Sequence, residues 1–165
     1  MNSTATGPMF TTFYRVDGSH LCSYEHRDDE PQDAKDNRTR YALEQIADLG
    51  VSLLGLNLVN TDLTGIVLED KNLSGSNFVG CSFGRANFTG SLLCNCNFMG
   101  CYFEGADLDD ADCSHSNFTI AHFLNVRLRN TKLLSCNFNG TTVAARDLMD
   151  ADVSGSDFGS VNKQF

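Results

Sequence analysis

Residues 94 to 103 read CNCNFMGCYF, and the thiols of Cys94, Cys96 and Cys101, inside eight residues, are the first chemistry this sequence offers. Thiolates gathered so closely would suit zinc, provided that three or four sulfur or nitrogen ligands converge as a tetrahedron. A second cluster, Asp109, Asp110 and Asp112, has the carboxylate oxygens that a hard cation such as calcium prefers. Catalysis has little to work with. The histidines, His20, His26, His115 and His122, are dispersed, and no nucleophile elbow, phosphate-binding glycine loop or HExxH run occurs. Whether either cluster is a site depends on the elements that would position it.

The chain of 165 residues suits one domain with an appendage. Its apolar set is narrow, with twelve Phe, no Trp and fourteen Gly, so internal repetition is the first thing to test. Seven Cys, an odd count over a long chain, fit reduced thiols better than a disulfide framework. MNSTATGPMF has neither a basic nor an apolar leader region, and no apolar run is long enough to cross a membrane. A soluble, cytoplasmic protein is expected. A net charge of −9 argues against direct nucleic-acid binding, which needs a basic surface.

Stepping by five from Leu53 to Phe158 visits 22 positions, and every one is apolar. Nine of the twelve Phe lie on this grid. Two residues before each grid position the side chain is usually small, as in Ser76, Cys81, Ala86 and Ser91, and the residue between is commonly Asn or Asp. A period of five fits neither the 3.6 of a helix nor the 2 of a strand. The units Ala106-Asp107-Leu108-Asp109-Asp110 and Ser76-Asn77-Phe78-Val79-Gly80 resemble the pentapeptide-repeat family, whose motif is A(D/N)LXX, and the resemblance runs unbroken from 51 to 160.

That resemblance implies an all-β fold, a right-handed quadrilateral parallel β-helix in which each pentapeptide forms one side and four make a coil of 20 residues. The 22 repeats then give about 5.5 coils, a rod on the order of 26 Å long at strand spacing. Large central residues fill the axis, small ones sit beside them, and Gly two residues after the centre supplies corners. Residues 20 apart stack in columns. Phe78, Phe98, Phe118, Phe138 and Phe158 should form an aromatic stack, with Asn57, Asn77, Asn97, Asn117 and Asn137 an amide ladder beside it.

This frame answers the cysteines. Cys81, Cys96, Cys101 and Cys136 occupy the small inward position and Cys113 a central one, so they read as small hydrophobes and no metal is expected. Cys81 and Cys101 stack one coil apart, but a reducing compartment disfavours a bridge. Interleaved Arg127, Arg129 and Lys132 likewise argue against a cation at the aspartates. Lys71 and Arg146 break the pattern, at positions where a small residue belongs.

Residues 1–50 lie off the grid and 51–165 form the coil. Asp17-Gly18 between β-rich flanks predicts a two-residue hairpin, residues 26 to 37 read as an acidic linker, and Ala42, Ile46 and Leu49 predict a helix from about Asn37 that caps the open first coil. With seven residues after Phe158, the last coil, with Phe158 and Phe165, is thinly covered, and a homodimer through that end is expected.

Two surfaces could meet a partner. Glu69, Asp70, Asp107, Asp109, Asp110, Asp112, Asp147, Asp150 and Asp152 project around one corner. This resembles the acidic surface by which fluoroquinolone-resistance members of the family are thought to imitate duplex DNA, and it implies a non-catalytic protein that inhibits or protects a type II topoisomerase, DNA gyrase or topoisomerase IV. Residues 51–165 carry a net of only −5, about a third of the phosphate charge on an equal length of duplex. The alternative is a scaffold or effector that binds another protein through Val79, Met99, Tyr102, Ile120, His122 and Leu124, an outward apolar patch, with the hairpin as a second contact. No cofactor is expected.

Overall fold

Bridges between residues 20 apart organise the chain from Asn57 onward. In the computed structural model, which describes residues 8–159 and 162–164, parallel bridges climb the column Asn57, Asn77, Asn97, Asn117, Asn137, Asp157. Three more columns run Asp62, Ser82, Tyr102, His122, Thr142; Val67, Asn87, Asp107, Arg127; and Asn72, Leu92, Asp112, Lys132, Asp152. Columns five residues apart with a period of 20 are four walls of one coil. Each storey bonds to the next through its main chain, as where Phe78 N donates to Asn97 O at 2.8 Å and Asn97 N to Ser76 O at 2.9 Å.

From Leu63 to Val143 every fifth residue is buried, while Leu58, Leu148, Val153 and Phe158 near the ends are partly so. The expected aromatic stack is present: Phe98 lies parallel to Phe78 and Phe118, with centroids 5.4 and 5.1 Å away. Phe83, Phe103 and Phe123 form a second stack on the adjacent wall, and the two meet edge to face. The amide ladder is only partial. Asn77 donates to Asn57 at 2.9 Å and Asn117 to Asn97 at 3.1 Å, but Asn77 Oδ1 is buried without a partner.

From Gly55 to Gly140, and again at Gly155, the residue two after each centre takes left-handed backbone, which closes a tight turn between walls. Gly80 shows why glycine recurs there: a Cβ would lie 2.2 Å from Asn60 Oδ1. Among the described residues ten that are not glycine hold the same conformation, and of these Ile120, at φ 52°, is the lone β-branched one.

The small inward residues do more than leave room. Ser91, Cys101, Ser116 and Thr141 each donate to the carbonyl of the central residue 23 positions earlier, at 2.5, 2.8, 2.8 and 2.6 Å. Cys81, Cys96 and Cys136 do the same at 3.4, 3.2 and 3.1 Å. These cysteines are therefore donors as well as small hydrophobes, which explains their exchange with Ser and Thr at one position. All the described cysteines are free, Cys81 and Cys101 included.

The repeat slips once. At Ala145–Leu148 the chain makes a 3-10 turn, no bridge joins Arg127 to Asp147, and the Asn130 amide reaches Asp150 O where regular spacing would give the preceding carbonyl. Arg146 is therefore not inward but exposed, 3.5 Å from Asp147. Beyond the slip, strand β3 (Thr142–Ala144) pairs in parallel with β4 (Asn162–Gln164), again 20 residues on.

Ahead of the coil, β1 (Met9–Tyr14) and β2 (His20–His26) form an antiparallel hairpin. Its loop is longer than the expected two residues, since Arg15 N bonds Ser19 O across Val16, Asp17 and left-handed Gly18. The hairpin leans on the first storey through Asn57 N to Tyr14 O and Val16 N to Gly55 O, with Phe13 buried. Residues 26 to 37 are not a plain linker. They include helix α1 (Gln32–Asp36) and a buried pair, His26 and Glu30, joined at 3.0 Å. Asn37 then caps α2 (Arg38–Asp48), whose Ala42, Leu43, Ile46 and Ala47 share one apolar cluster with Leu53 and Leu56. Lys71 does not point inward either. Its Nζ reaches Ala47 O and Asp48, each at 3.3 Å, placing a cation at the carbonyl end of α2.

Candidate functional site

On the second wall, Tyr102 and His122 occupy successive storeys because 20 residues separate them, and their rings stack 4.8 Å apart at an interplanar angle of 4°. Both are exposed. The wall's positions on either side of the pair, Ser82 and Thr142, are small, so the two-ring ladder is bounded by clefts. One, of about 240 Å³, lies by His122, Phe123, Leu124 and Thr142; the other, of about 380 Å³, by Thr64, Ser82, Gly84 and Arg85; both reach Tyr102 and Glu104. Of the other patch residues, Met99, Ile120 and Leu124 are exposed and Val79 is half-buried. Glu104, Gly84 and Arg85 were not singled out from sequence. Gly84 carried the usable signal, standing one residue after a centre where the corner glycines stand two after.

The acidic corner is largely engaged with itself. Asp109 does not project but is buried, accepting the Arg129 amide at 2.8 Å and Arg127 Nη2 at 2.5 Å. Burial pushes its carboxyl up, and the Arg129 amide with the two guanidiniums more than offsets this, holding it below the usual range. Asp107 pairs with Arg127 at 3.0 Å. Asp112 accepts from the Ser114 amide and hydroxyl at 3.1 and 2.6 Å and pairs with Lys132 at 3.4 Å; Asp152 accepts likewise from Ser154. Glu69 accepts from Asn87 at 3.5 Å, and Asp147 pairs with Arg146. Asp70, Asp110 and Asp150 are exposed along one corner edge, Asp110 bonded to Asn130 at 3.0 Å. The slip leaves a cleft of about 190 Å³ where Arg127, Arg129 and Arg146 face Asp109, Asp147 and Asp150.

The thiols of the opening stretch do not converge. Cys96 donates to Leu73 O at 3.2 Å, Cys101 to Phe78 O at 2.8 Å and Cys94 to Asp112 O at 3.5 Å. Burial pushes the Cys96 and Cys101 thiols up to about 12. Among the described residues no group of three or more His, Cys, Asp or Glu could hold a metal ion. At the far end Phe158 is half-buried, stacked 5.0 Å from Phe138, and Phe165 lies outside the described residues.

A four-walled coil with a 20-residue period defines a class of β-helical repeat protein. The family model described as pentapeptide repeats matches residues 57–95 and 96–133 in eight copies, so this stretch of the coil is built of pentapeptide repeats. The chain is similar to HetL, a pentapeptide repeat protein involved in heterocyst differentiation regulation from the cyanobacterium Nostoc, at 20% identity and a TM-score of 0.58, covering 73% of this chain and 47% of that one. This chain thus spans about half of HetL, and the likeness gives the fold, a right-handed quadrilateral β-helix. Rfr23 from the cyanobacterium Cyanothece is 17% identical, with a TM-score of 0.48 over 78% of this chain and 95% of that one. QnrB1, a plasmid-mediated fluoroquinolone resistance protein, is 17% identical, with a TM-score of 0.30 over 68% and 65%. Comparison with curated proteins gives no match.

Proposed function

We propose that this protein is a non-catalytic binding module whose second wall, around Tyr102, holds a polypeptide partner. The observation that carries this reading is the exposed, parallel-stacked Tyr102–His122 pair with a cleft at each end. Exposed aromatic rings on a rigid frame lose little freedom on binding and are enriched where proteins meet. Met99, Ile120 and Leu124 extend the apolar surface alongside. The test is affinity capture from the native host with wild type and with the Met99→Asp, Tyr102→Asp pair. A partner retained by wild type and lost by the double variant, whose coil still melts cooperatively, supports the reading; a partner indifferent to both changes removes it.

A second reading, a DNA-mimicking inhibitor or protector of gyrase or topoisomerase IV, draws support from Asp70, Asp110 and Asp150, exposed on one edge at intervals of about 9.6 Å, two storeys. The pairing of Asp107, Asp109 and Asp112 with Arg127, Arg129 and Lys132 reduces its outward field. Gyrase supercoiling decides: inhibition that weakens steeply with salt supports mimicry, and full activity at micromolar protein ends it. Pairing of two chains over Phe158 belongs with either reading, and sedimentation of the full chain tests it.

A further inference from the structure

Below Tyr102 the ladder of rings stops. Ser82 takes the next position down that wall, and Gly84 beside it leaves the floor of the 380 Å³ cleft bare. Gly84 is the one described glycine outside left-handed backbone, and a Cβ there would make only ordinary contacts, 3.7 Å to Thr64 and 3.8 Å to the Glu104 carbonyl. The backbone does not call for glycine at this position. What glycine provides is space, under the free face of an aromatic ring.

We infer that this cleft receives the side chain of a single arginine carried by the partner. The inference rests on the reading of this wall as a protein-binding face. His122 shows what the upper face of Tyr102 accepts, a flat group 4.8 Å away, and the lower face offers the same seat. Glu104 is exposed at the rim, and among the described residues its carboxylate has no cation within ion-pairing distance. A planar group that is also a cation satisfies both. Guanidinium stacks on aromatic faces and meets carboxylates with two parallel hydrogen bonds, which neither an ammonium nor a neutral ring can do. The chain's net charge of −9 draws cations toward it. Arg85 stands on the same rim, and its charge opposes a basic run more strongly than a lone arginine that meets Glu104.

The test uses the full chain, isotope-labelled, titrated with the capped tripeptide acetyl-Gly-Arg-Gly-amide and its Lys and Phe counterparts, read by amide shifts. The arginine peptide should give saturable shifts centred on Gly84 and Tyr102, with the lysine peptide about tenfold weaker. Glu104→Gln, on an exposed side chain, should weaken arginine binding about tenfold. Gly84→Leu should fill the cleft and remove binding while the melting curve stays cooperative. Absent shifts, equal shifts with all three peptides, or indifference to Glu104→Gln would overturn the inference. A host partner that depends on Met99 and Tyr102 but not on Glu104 would overturn it too, while leaving the wider protein-binding reading in place.

Discussion

Asp109 and Arg129 sit one storey apart, and the Asp109 carboxylate accepts the Arg129 amide at 2.8 Å, filling the place that an Asn or Asp side chain two residues earlier takes on other storeys, as Asn117 does for the Thr119 amide, and that Arg127 cannot fill. The folded protein thus holds this carboxyl below its ordinary value of 3.8. Stability from a depressed carboxyl is complete above the unfolded value and is lost as pH falls through the folded one. Urea unfolding should show stability declining as pH drops below 3.8, and Asp109→Asn should flatten that decline. Asp109→Ala, which leaves the Arg129 amide without its acceptor, should cost about 1–3 kcal/mol at neutral pH.

Ile120 predicts a gain. The residue is 53% exposed, so little burial offsets a left-handed conformation that costs an L-residue roughly 1–2 kcal/mol. Ile120 is flanked in its column by Gly100 and Gly140, and its Cγ2 would lie 3.0 Å from a Cβ on Gly140. Ile120→Gly should relieve the strain and raise thermal stability by about 1 kcal/mol. A lower melting temperature would show that Ile120 is held by packing.

Phe98 tests the axis. It is fully buried between Phe78 and Phe118 and touches Phe103 edge-on. Neighbouring storeys are hydrogen-bonded on every wall, so they cannot collapse into a void. Phe98→Ala should therefore cost about 3–5 kcal/mol in urea unfolding.

Thiol reactivity separates inside from outside. Cys81, Cys96, Cys101, Cys113 and Cys136 are buried, while Cys22 and Cys94 are half-buried. Burial pushes Cys113 well up and Cys136 to about 11. A chromogenic disulfide reagent at pH 8 should label no more than Cys22 and Cys94 in the native protein, and the five buried thiols only on unfolding.

The coil was legible because its period is written in residues of one kind: an apolar centre every fifth position can satisfy no other backbone. Helix α2 was legible for a similar reason, from the spacing of Ala42 and Ile46, although Leu49, read with them, is exposed just past its end. The buried pair of His26 and Glu30 was not, because polar residues in an acidic run signal solvent until a neighbour covers them. Lys71 and Arg146 were marked as exceptions, but their fates depend on what lies nearby, a helix terminus for one and a slipped turn for the other. The candidate site was half legible. Tyr102, His122 and Leu124 follow from columns, whereas the cleft under Tyr102 depends on the side chain that Gly84 lacks.

A pitch of 20 residues on four walls also constrains how the chain can change length. Loss of one pentapeptide between Tyr102 and His122 would turn everything downstream by a quarter of a revolution, parting the two rings and scrambling both aromatic columns. Loss of a whole turn would shorten the shaft by about 4.8 Å and return every later side chain to its own wall. Length is quantised in this molecule, and viable insertions or deletions should arrive in complete revolutions.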